Sequence, residues 1–415
     1  MPGSLVGDPD RRPRRPAIRK PRRRPLLSVP TPLTRALLDF FRTEVAGGAL
    51  LLAAAVLALV WANSAAGDGY VRLWDTVVDA RLGPVALPHD LHHWVNDGLM
   101  TVFFLVVGLE IKRELVAGEL RDRRKAVMPV VAAVGGMVVP AAVYLGVVGL
   151  GGPAARGWAI PMATDIAFAI GVLALLGRRV PPALRLFVLA LAIADDIGAI
   201  AVIALGYSEG IRVAPLAVAA VCLAAVAVVG RSPRWSTSVA LALGLGAWLA
   251  VLQSGIHPTI AGVALGLVIP AGSHAERLEH RLHPLSSFVV VPLFALASAG
   301  VRLEGAGLPA DGPDVALAVA AGLAAGKVVG ISAFSWLAVR LGLGKLPEGT
   351  TWPQLVGAAA VAGIGFTVAL FIGDLAFDAP ALEAQAKLGI LTGSLAASLV
   401  GVVVLRLAGR RVPAG

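Results

Sequence analysis

The stretch PALRLFVLALAIADDIGAIAVIALG, residues 182–206, holds one basic residue and two adjacent acids in an otherwise apolar run. Its length matches the roughly 20 residues that an α-helix needs to cross a bilayer. Only helices and closed barrels satisfy their backbone hydrogen bonds in lipid, and the alternating pattern of a barrel strand is absent. The stretch therefore predicts a transmembrane helix that carries Asp195 and Asp196 near its middle.

The whole chain shares the composition of this stretch. Of its 415 residues, 57% are hydrophobic and only 15% are charged, whereas soluble domains carry about 25% charged residues. A disordered chain, a collagen and a cytosolic enzyme are therefore excluded as descriptions of the whole chain. The single cysteine, Cys222, cannot form an intrachain disulfide or a site with several thiolate ligands. We expect neither a cofactor nor an enzymatic activity.

Apolar stretches of membrane-spanning length recur along the chain, separated by charged or Pro/Gly-rich turns. We predict twelve spans, at residues 44–62, 92–114, 126–150, 157–177, 182–206, 213–230, 236–252, 256–271, 285–301, 315–340, 354–376 and 386–407. The expected fold class is an all-α polytopic membrane protein. The seventh and eighth spans are unusually short, so each of them alone need not cross the bilayer completely.

The amino-terminal segment has a different composition. Residues 1–35 hold ten Lys or Arg residues against Asp8 and Asp10, and prolines interrupt the run. Such a segment predicts a disordered cytoplasmic tail at residues 1–36, near anionic lipid headgroups, and not a nucleic-acid-binding domain or a signal peptide. The membrane domain would cover residues 37–407, followed by a short cytoplasmic tail at residues 408–415.

The distribution of positive charge predicts the orientation of the chain. The two termini and the loops after even-numbered spans, with the adjoining ends of the spans, hold 29 of the 36 Lys and Arg residues, and the opposite loops, counted in the same way, hold six. Because positive residues stay on the cytoplasmic side, both termini are predicted to be cytoplasmic. Two cytoplasmic termini require an even number of spans, which agrees with twelve.

Four charged side chains fall near the middle of predicted spans, where a charge costs at least about 2.5–3.5 kcal/mol. They are Asp165, Asp195, Asp196 and Lys327. A buried ion pair that only holds helices together would explain one acid with Lys327 and leave two acids over. Carboxylate oxygens are ligands that small hard cations prefer. The excess of acids therefore predicts a site where a cation and protons compete for Asp195 and Asp196.

Two spans contain residues that interrupt helices. Span 157–177 contains Pro161, Thr164 and Asp165, and span 354–376 contains Gly363, Gly365 and Thr367. Glycine in a membrane helix can also mark close packing. Each span is, however, the middle of a three-span group, spans 3–5 and 10–12, and the two groups have opposite orientations. This pattern predicts inverted-topology repeats with two broken helices that cross at the midplane.

Seven segments, in order along the chain, resemble NhaA-type sodium/proton antiporters. They are FFLVVGLEIKREL, ATDIAFAIG, LAIADDIGAI, SGIHPTIAGV, RLEHRLHP, AGKVVGI and GIGFTVALFIG. The resemblance covers about residues 37–407. It implies that Asp195 and Asp196 bind the cation and protons, with Asp196 as the main ligand. It also implies that Thr164 and Asp165 mark the helix crossing, and that Lys327 either compensates helix ends or pairs with Asp195.

The resemblance further implies a pH response near the cytoplasmic ends of the helices. The matching residues are Glu110, Arg113, Glu114, Glu279, His280 and His283. Histidine titrates near neutrality, so the chemistry allows this role, while an ordinary interfacial salt-bridge network is the alternative. His257, beside Pro258 on the opposite side, fits either a pH role or a packed turn.

The function implied is exchange of cytoplasmic Na⁺ or Li⁺ for external protons in a bacterial inner membrane. The exchange would be pH-regulated and electrogenic, with two protons per cation, and would serve sodium and pH homeostasis. A proton-coupled symporter or exporter of a small organic solute is the alternative, although Ala, Gly and Ile surround the acids. An intramembrane protease lacks its GxGD or GxSG segment here, and no GxxxxGK[ST] loop indicates ATP-driven transport. A homodimer is compatible with the sequence.

Overall fold

The computed structural model describes residues 3, 32–82, 85–208, 210–232, 237–303 and 314–409. Most of the predicted tail at residues 1–36, and residues 410–415 of the second tail, lie outside these ranges. Internal contacts divide the chain into two units, Met1–Asp39 and Phe40–Gly415.

The described part of the chain is mostly helical. Its helices are α1 Pro32–Ala62, α2 Gly67–Trp74, α3 Leu91–His93, α4 Met100–Val116, α5 Arg123–Val148, α6 Ile166–Leu175, α7 Pro182–Gly206, α8 Val213–Val229, α9 Thr237–Leu252, α10 Thr259–Val268, α11 Ser273–Leu285, α12 Val291–Ser298, α13 Val315–Ala321, α14 Lys327–Arg340, α15 Trp352–Val361, α16 Phe366–Ala376 and α17 Pro380–Ala408. Three π-helical turns, Trp94–Leu99, Ser286–Val290 and Gly322–Gly326, lie directly before α4, α12 and α14. A 3₁₀ segment, Pro153–Met162, precedes α6.

Six continuous helical stretches in the described ranges are long and apolar enough to cross a membrane. They are Val45–Ala62, Arg123–Val148, Pro182–Gly206, Ser273–Ser298, Val315–Arg340 and Pro380–Ala408. Two bent pairs, Pro153–Met162 with Ile166–Leu175 and Trp352–Val361 with Phe366–Ala376, raise the number to eight. The other four predicted spans coincide with α4, α8, α9 and α10, which are 10 to 17 residues long. That these four also cross stays a prediction.

The structure contains a β-hairpin, which the predicted all-α fold class did not include. Strand β1, Val77–Leu82, pairs antiparallel with β2, Val85–Asp90, and Val77 lies opposite Asp90. The β-branched pair Val77 and Val78 favours a strand. A search for membrane-length apolar runs passes over two strands of six residues, which explains the omission.

The predicted ninth span, residues 285–301, begins too late. In the structure, α11 begins at Ser273 and continues without a break through the π-helical turn into α12. Helix α11 carries several charged residues, and hydropathy excluded it for that reason. Its charges nevertheless lie on a helix that packs against α4, and Glu279 is buried there.

Small residues allow close contact between α5 and α14. A Cβ atom at Gly330 would lie far inside van der Waals contact of the Gly135 carbonyl, and a Cβ atom at Gly135 would overlap Phe334. Glycine pairs of this kind let helix backbones approach in membrane proteins. The contact fixes α14, which begins with Lys327, against a helix that is continuous over 26 residues.

Candidate functional site

The breaks in the two bent pairs touch each other. The first pair bends by 42° between Met162 and Ile166, and the second bends by 48° between Val361 and Phe366. The Asp165 backbone N–H donates to the Ile364 carbonyl at 2.6 Å. The Thr164 hydroxyl lies 2.7 Å from the Ala362 carbonyl oxygen. Unwound backbone in each helix is therefore satisfied by the other, which allows both breaks to exist in the interior.

The two glycines of the second break serve close approach. A Cβ atom at Gly363 would overlap the Leu323 carbonyl oxygen, and one at Gly365 would lie 2.8 Å from Leu323 Cδ2. Neither glycine has a positive φ. Pro161 does not itself lie in the break of the first bent pair. It is part of the 3₁₀ segment, and the break follows that segment.

Asp165 caps two helices at once. Its Oδ1 accepts from the Phe168 backbone N–H at 3.0 Å, at the first turn of α6. Its Oδ2 accepts from the Thr367 backbone N–H at 3.2 Å and from the Thr367 hydroxyl at 2.6 Å, at the first turn of α16. The amino ends of helices carry partial positive charge. One buried carboxylate thus compensates two helix ends that meet in the interior.

Lys327, Asp195 and Thr164 form a closed polar group. The Lys327 ammonium is ion-paired with the Asp195 carboxylate, and both side chains are 0% exposed. The ammonium also donates to the Thr164 hydroxyl oxygen at 3.0 Å, and that oxygen lies 2.8 Å from Asp195 Oδ2. The π-helical turn directly before Lys327 alters the helical phase at this residue, and such turns occur often at functional sites. The resemblance left two roles open for Lys327, and the geometry contains one of them, the pairing with Asp195.

Asp196 has different surroundings from its neighbour. Successive residues of a helix project about 100° apart. Within the described ranges, Asp196 Oδ1 accepts no hydrogen bond, although the residue is only 6% exposed. The side chain lines a cavity of about 70 Å³, and Asp195 does not. The other polar side chains along this cavity are Thr164, Asp165, Thr367, Ser286, Ser287, Glu110, Arg113 and His283.

The cavity reaches Glu110, near the end of α4, and His283 of α11. His283 Nε2 lies 3.6 Å from Glu110 Oε1, and Arg113 is ion-paired with the buried Glu279. These contacts join α4 to α11. His280 is exposed on α11, and Glu114 is half-buried one turn beyond Glu110. Neither His280 nor Glu114 lines the cavity.

His257 lies apart from Glu110 and His283, near the beginning of α4. Its Nδ1 is 2.9 Å from the Thr259 hydroxyl, and its Nε2 is 3.4 Å from Asp97 Oδ1. Its ring packs edge-on against Phe371, with the centroids 5.1 Å apart. The structure therefore separates His257 from the group at Glu110 and His283.

A second buried polar group was missed by sequence reasoning. Its central residue is Asp374 in α16, and its other members are Lys387, Glu383, Ser298, Asn96 and His92. Asp374 lies near the end of the predicted span 354–376, and Lys387 is the second residue of the predicted span 386–407. The four-residue spacing from Glu383 to Lys387, typical of a helical ion pair, was an available signal.

The chain matches known proteins over nearly its whole length. The family described as Na⁺/H⁺ antiporter 1 matches residues 38–405. The protein named Na(+)/H(+) antiporter NhaA 3 from Frankia alni is 46% identical, covering 95% of this chain and 93% of that protein. Na(+)/H(+) antiporter NhaA 2 from Erythrobacter litoralis is 48% identical, with coverages of 91% and 95%. For Na(+)/H(+) antiporter NhaA from Escherichia coli K12, identity is 49%, with coverages of 89% and 97%. The chain belongs to the NhaA family of Na⁺/H⁺ antiporters.

Proposed function

We propose that the chain exchanges cytoplasmic Na⁺ or Li⁺ for external protons across a bacterial inner membrane, and that cation and proton compete at Asp196. One observation carries this proposal. Asp196 is a buried carboxylate that faces a cavity, whereas the neighbouring Asp195 is neutralised by Lys327. The names of the relatives, all Na⁺/H⁺ antiporters, support the same reaction.

The architecture we propose has twelve spans, cytoplasmic termini and inverted repeats. The bent pairs are the middle members of two groups, α5 to α7 and α13 to α17. The hydrogen bonds between the two breaks support a crossing of the pairs, which we place near the membrane midplane. In such repeats, unwound backbone at mid-depth can contribute to a site that opens alternately to either side.

The chemistry of exchange follows from the burial of Asp196. An ionised carboxylate away from water needs a partner, and a proton or a small cation can fill that need. Oxygen atoms of the cavity, on Asp196, Thr164 and Thr367, suit a hard monovalent cation. Binding of the cation therefore requires loss of the proton, and binding of the proton expels the cation. Asp165 contributes the fixed negative charge that holds the helix ends.

The second proton involves Asp195 and Lys327. If the cation contacts both carboxylates, Lys327 loses its partner, and a buried ammonium without a partner favours release of its proton. We propose this step, which gives two protons per cation and one net charge moved in each cycle. A membrane potential of 100 mV acting on that charge supplies about 2.3 kcal/mol. If Lys327 stays paired with Asp195 throughout, only one proton moves and no current flows.

We assign the pH response to the contacts at the mouth of the cavity. Glu110 with His283, and Arg113 with Glu279, join α4 to α11 beside the route to Asp196. Protonation changes in this group alter the charge at the mouth and the attraction between the two helices. His280, Glu114 and His257 lie away from the route and have a smaller part in this proposal.

The size of the cavity argues against an organic solute. Its volume is about 70 Å³, whereas sites for organic ligands usually occupy about 300–1,000 Å³. The space therefore suits a small ion better than an organic molecule.

The test is proton movement in proteoliposomes that contain a pH-sensitive dye. Addition of Na⁺ or Li⁺ should drive protons in the direction opposite to the cation, while choline should not. Asp196→Asn should abolish the signal, because the amide keeps the shape but carries no charge. Asp68→Asn is the matched control, since Asp68 is exposed and is paired with Arg302, whose hydrogen bond and charge lower the Asp68 pKa. Proton movement in the same direction as the cation, or full activity in Asp196→Asn, would overturn the proposal.

A further inference from the structure

One face of α16 leads from the site to the buried group at Asp374. Thr367, Phe371 and Asp374 are spaced i, i+4 and i+7, so they lie on the same side of the helix. Thr367 contacts Asp165 at the site. Phe371, one turn on, packs against Phe104 with the ring centroids 5.2 Å apart, and also against His257. Asp374 lies at the far end of this face.

Asp374 connects α16 to several other elements. Its Oδ1 lies 3.2 Å from Lys387 Nζ in α17, and its Oδ2 accepts from the Ser298 hydroxyl of α12 at 3.0 Å. Asn96 Nδ2 donates to the same Oδ2 at 3.4 Å, and His92 Nε2 lies 3.7 Å from it. The Asp374 and Lys387 side chains are both buried. This end of α16 is thus held by a charge pair and a set of hydrogen bonds.

The two directions away from the site differ in this structure. Toward Glu110 and His283, a cavity extends from Asp196. In the other direction, along the α16 face that begins at Thr367, the aromatic contacts of Phe371 lie nearer to the site and the Asp374 group lies farther from it. For a site that must open to each side in turn, these two layers are the outer closure.

A charge pair suits a closure that has to open repeatedly. While the pair is away from water, Asp374 and Lys387 attract each other strongly, and Lys387 is also ion-paired with Glu383 of its own helix, so the elements stay together. Once the path opens, water solvates both groups, so the separated state gains stabilisation of its own. The same elements could then rest in two arrangements whose relative population the bound ion shifts.

We propose that Asp374 and Lys387 form the outer latch of this transporter, holding α16 against α12 and α17 while the site faces the cytoplasm. The latch must separate before protons from outside reach Asp196. The proposal rests on the exchange function proposed above, but its test reads accessibility directly. Asp374 is in this view a positioning residue that controls access and does not bind the transported ion.

The test uses a cysteine on the closed face. Leu370 is fully buried, three residues after Thr367 and four before Asp374. Leu370→Cys is made in a Cys222→Ser background, which leaves one thiol in the chain. Right-side-out vesicles are treated with a membrane-impermeant thiol reagent, and the labelling rate is measured. We expect slow labelling with the latch intact, and labelling at least about 10-fold faster after Asp374→Asn or Lys387→Met.

Controls separate a latch from a simple loss of folding. The double variant Asp374→Asn with Lys387→Met leaves no lone buried charge, so it should regain thermal stability but keep the fast labelling. Asp68→Asn, which breaks the exposed pair with Arg302, should label as slowly as the parent. Equal labelling rates in the parent and in all folded latch variants would overturn the latch, even where cation-driven proton movement is normal. Absence of that movement in the parent would instead overturn the exchange function.

Discussion

Asp195 and Asp196 are adjacent in α7 but have opposite electrostatic surroundings. Asp195 pairs with Lys327 and contacts Thr164, while Asp196 faces the cavity. The angle of about 100° between successive helical residues is enough to separate them. In the exchange that we propose, Asp196 is the acid that takes part directly, and Asp195 is coupled to Lys327, which supplies the second proton.

Lys327→Arg tests whether the lysine carries a proton. A guanidinium stays charged under all ordinary conditions, so it can pair with Asp195 but cannot release a proton. We expect this variant to fold with wild-type heat stability and to lose cation-driven current by at least about 10-fold. Currents are measured on proteoliposomes, and melting is followed in detergent.

Lys327→Ala is the companion variant. It leaves Asp195 buried without its partner, and the loss of one member of a buried pair typically costs about 3–5 kcal/mol. We expect a clearly lower melting temperature than in Lys327→Arg. Retention of current in Lys327→Arg, with instability only in Lys327→Ala, would assign the lysine a purely structural role.

At the scale of elements, the contact between α5 and α14 sets the position of Lys327. A Cβ atom at Gly330 would overlap backbone atoms of Gly135, which cannot move without shifting a whole helix. We expect Gly330→Ala to destabilise the protein by about 1–3 kcal/mol through overpacking. Gly146→Ala, in the same α5 but with open space around it, should be neutral or slightly stabilising. Equal melting temperatures for the two variants in detergent would contradict this account of the contact.

Sequence patterns predicted most of the helices because a membrane span is a long, local feature. The stretch at residues 182–206 became α7, Pro182–Gly206, with the same bounds. The interrupted spans were also foreseeable, since Pro161 and Gly363 are local signals. Hydropathy could not locate α11, where charged residues lie on a helix that continues into the apolar α12. The hairpin at β1 and β2 is too short for a search of that kind.

The identity of the site residues was easier to predict than the contacts between them. Asp195, Asp196 and Lys327 are conspicuous in the sequence because a charged side chain within a membrane span is energetically costly and therefore rare. Which acid pairs with Lys327 depends on the rotation of α7 relative to α14, and a sequence does not give that rotation. The Asp374 group was hidden for a related reason, because its members come from separate elements and each lies near the end of a span.

At the scale of the whole molecule, exchange of two protons for one cation moves one net charge. A step in Na⁺ concentration on a solid-supported membrane carrying proteoliposomes should therefore give a transient current. The current should reverse sign when the Na⁺ gradient is reversed. Dye-detected exchange without any current, and without acceleration by valinomycin and potassium, would mean that the Asp195–Lys327 pair stays closed throughout the cycle.

If the cation and protons compete for Asp196, binding of the cation must release protons from the purified protein. Purified protein in weakly buffered detergent solution is mixed with Na⁺, and the protons released for each cation bound are counted with a pH indicator. We expect about two protons per Na⁺ in the parent chain, and neither Na⁺ binding nor proton release in Asp196→Asn. Na⁺ binding without proton release, or unchanged release in Asp196→Asn, would contradict competition at Asp196.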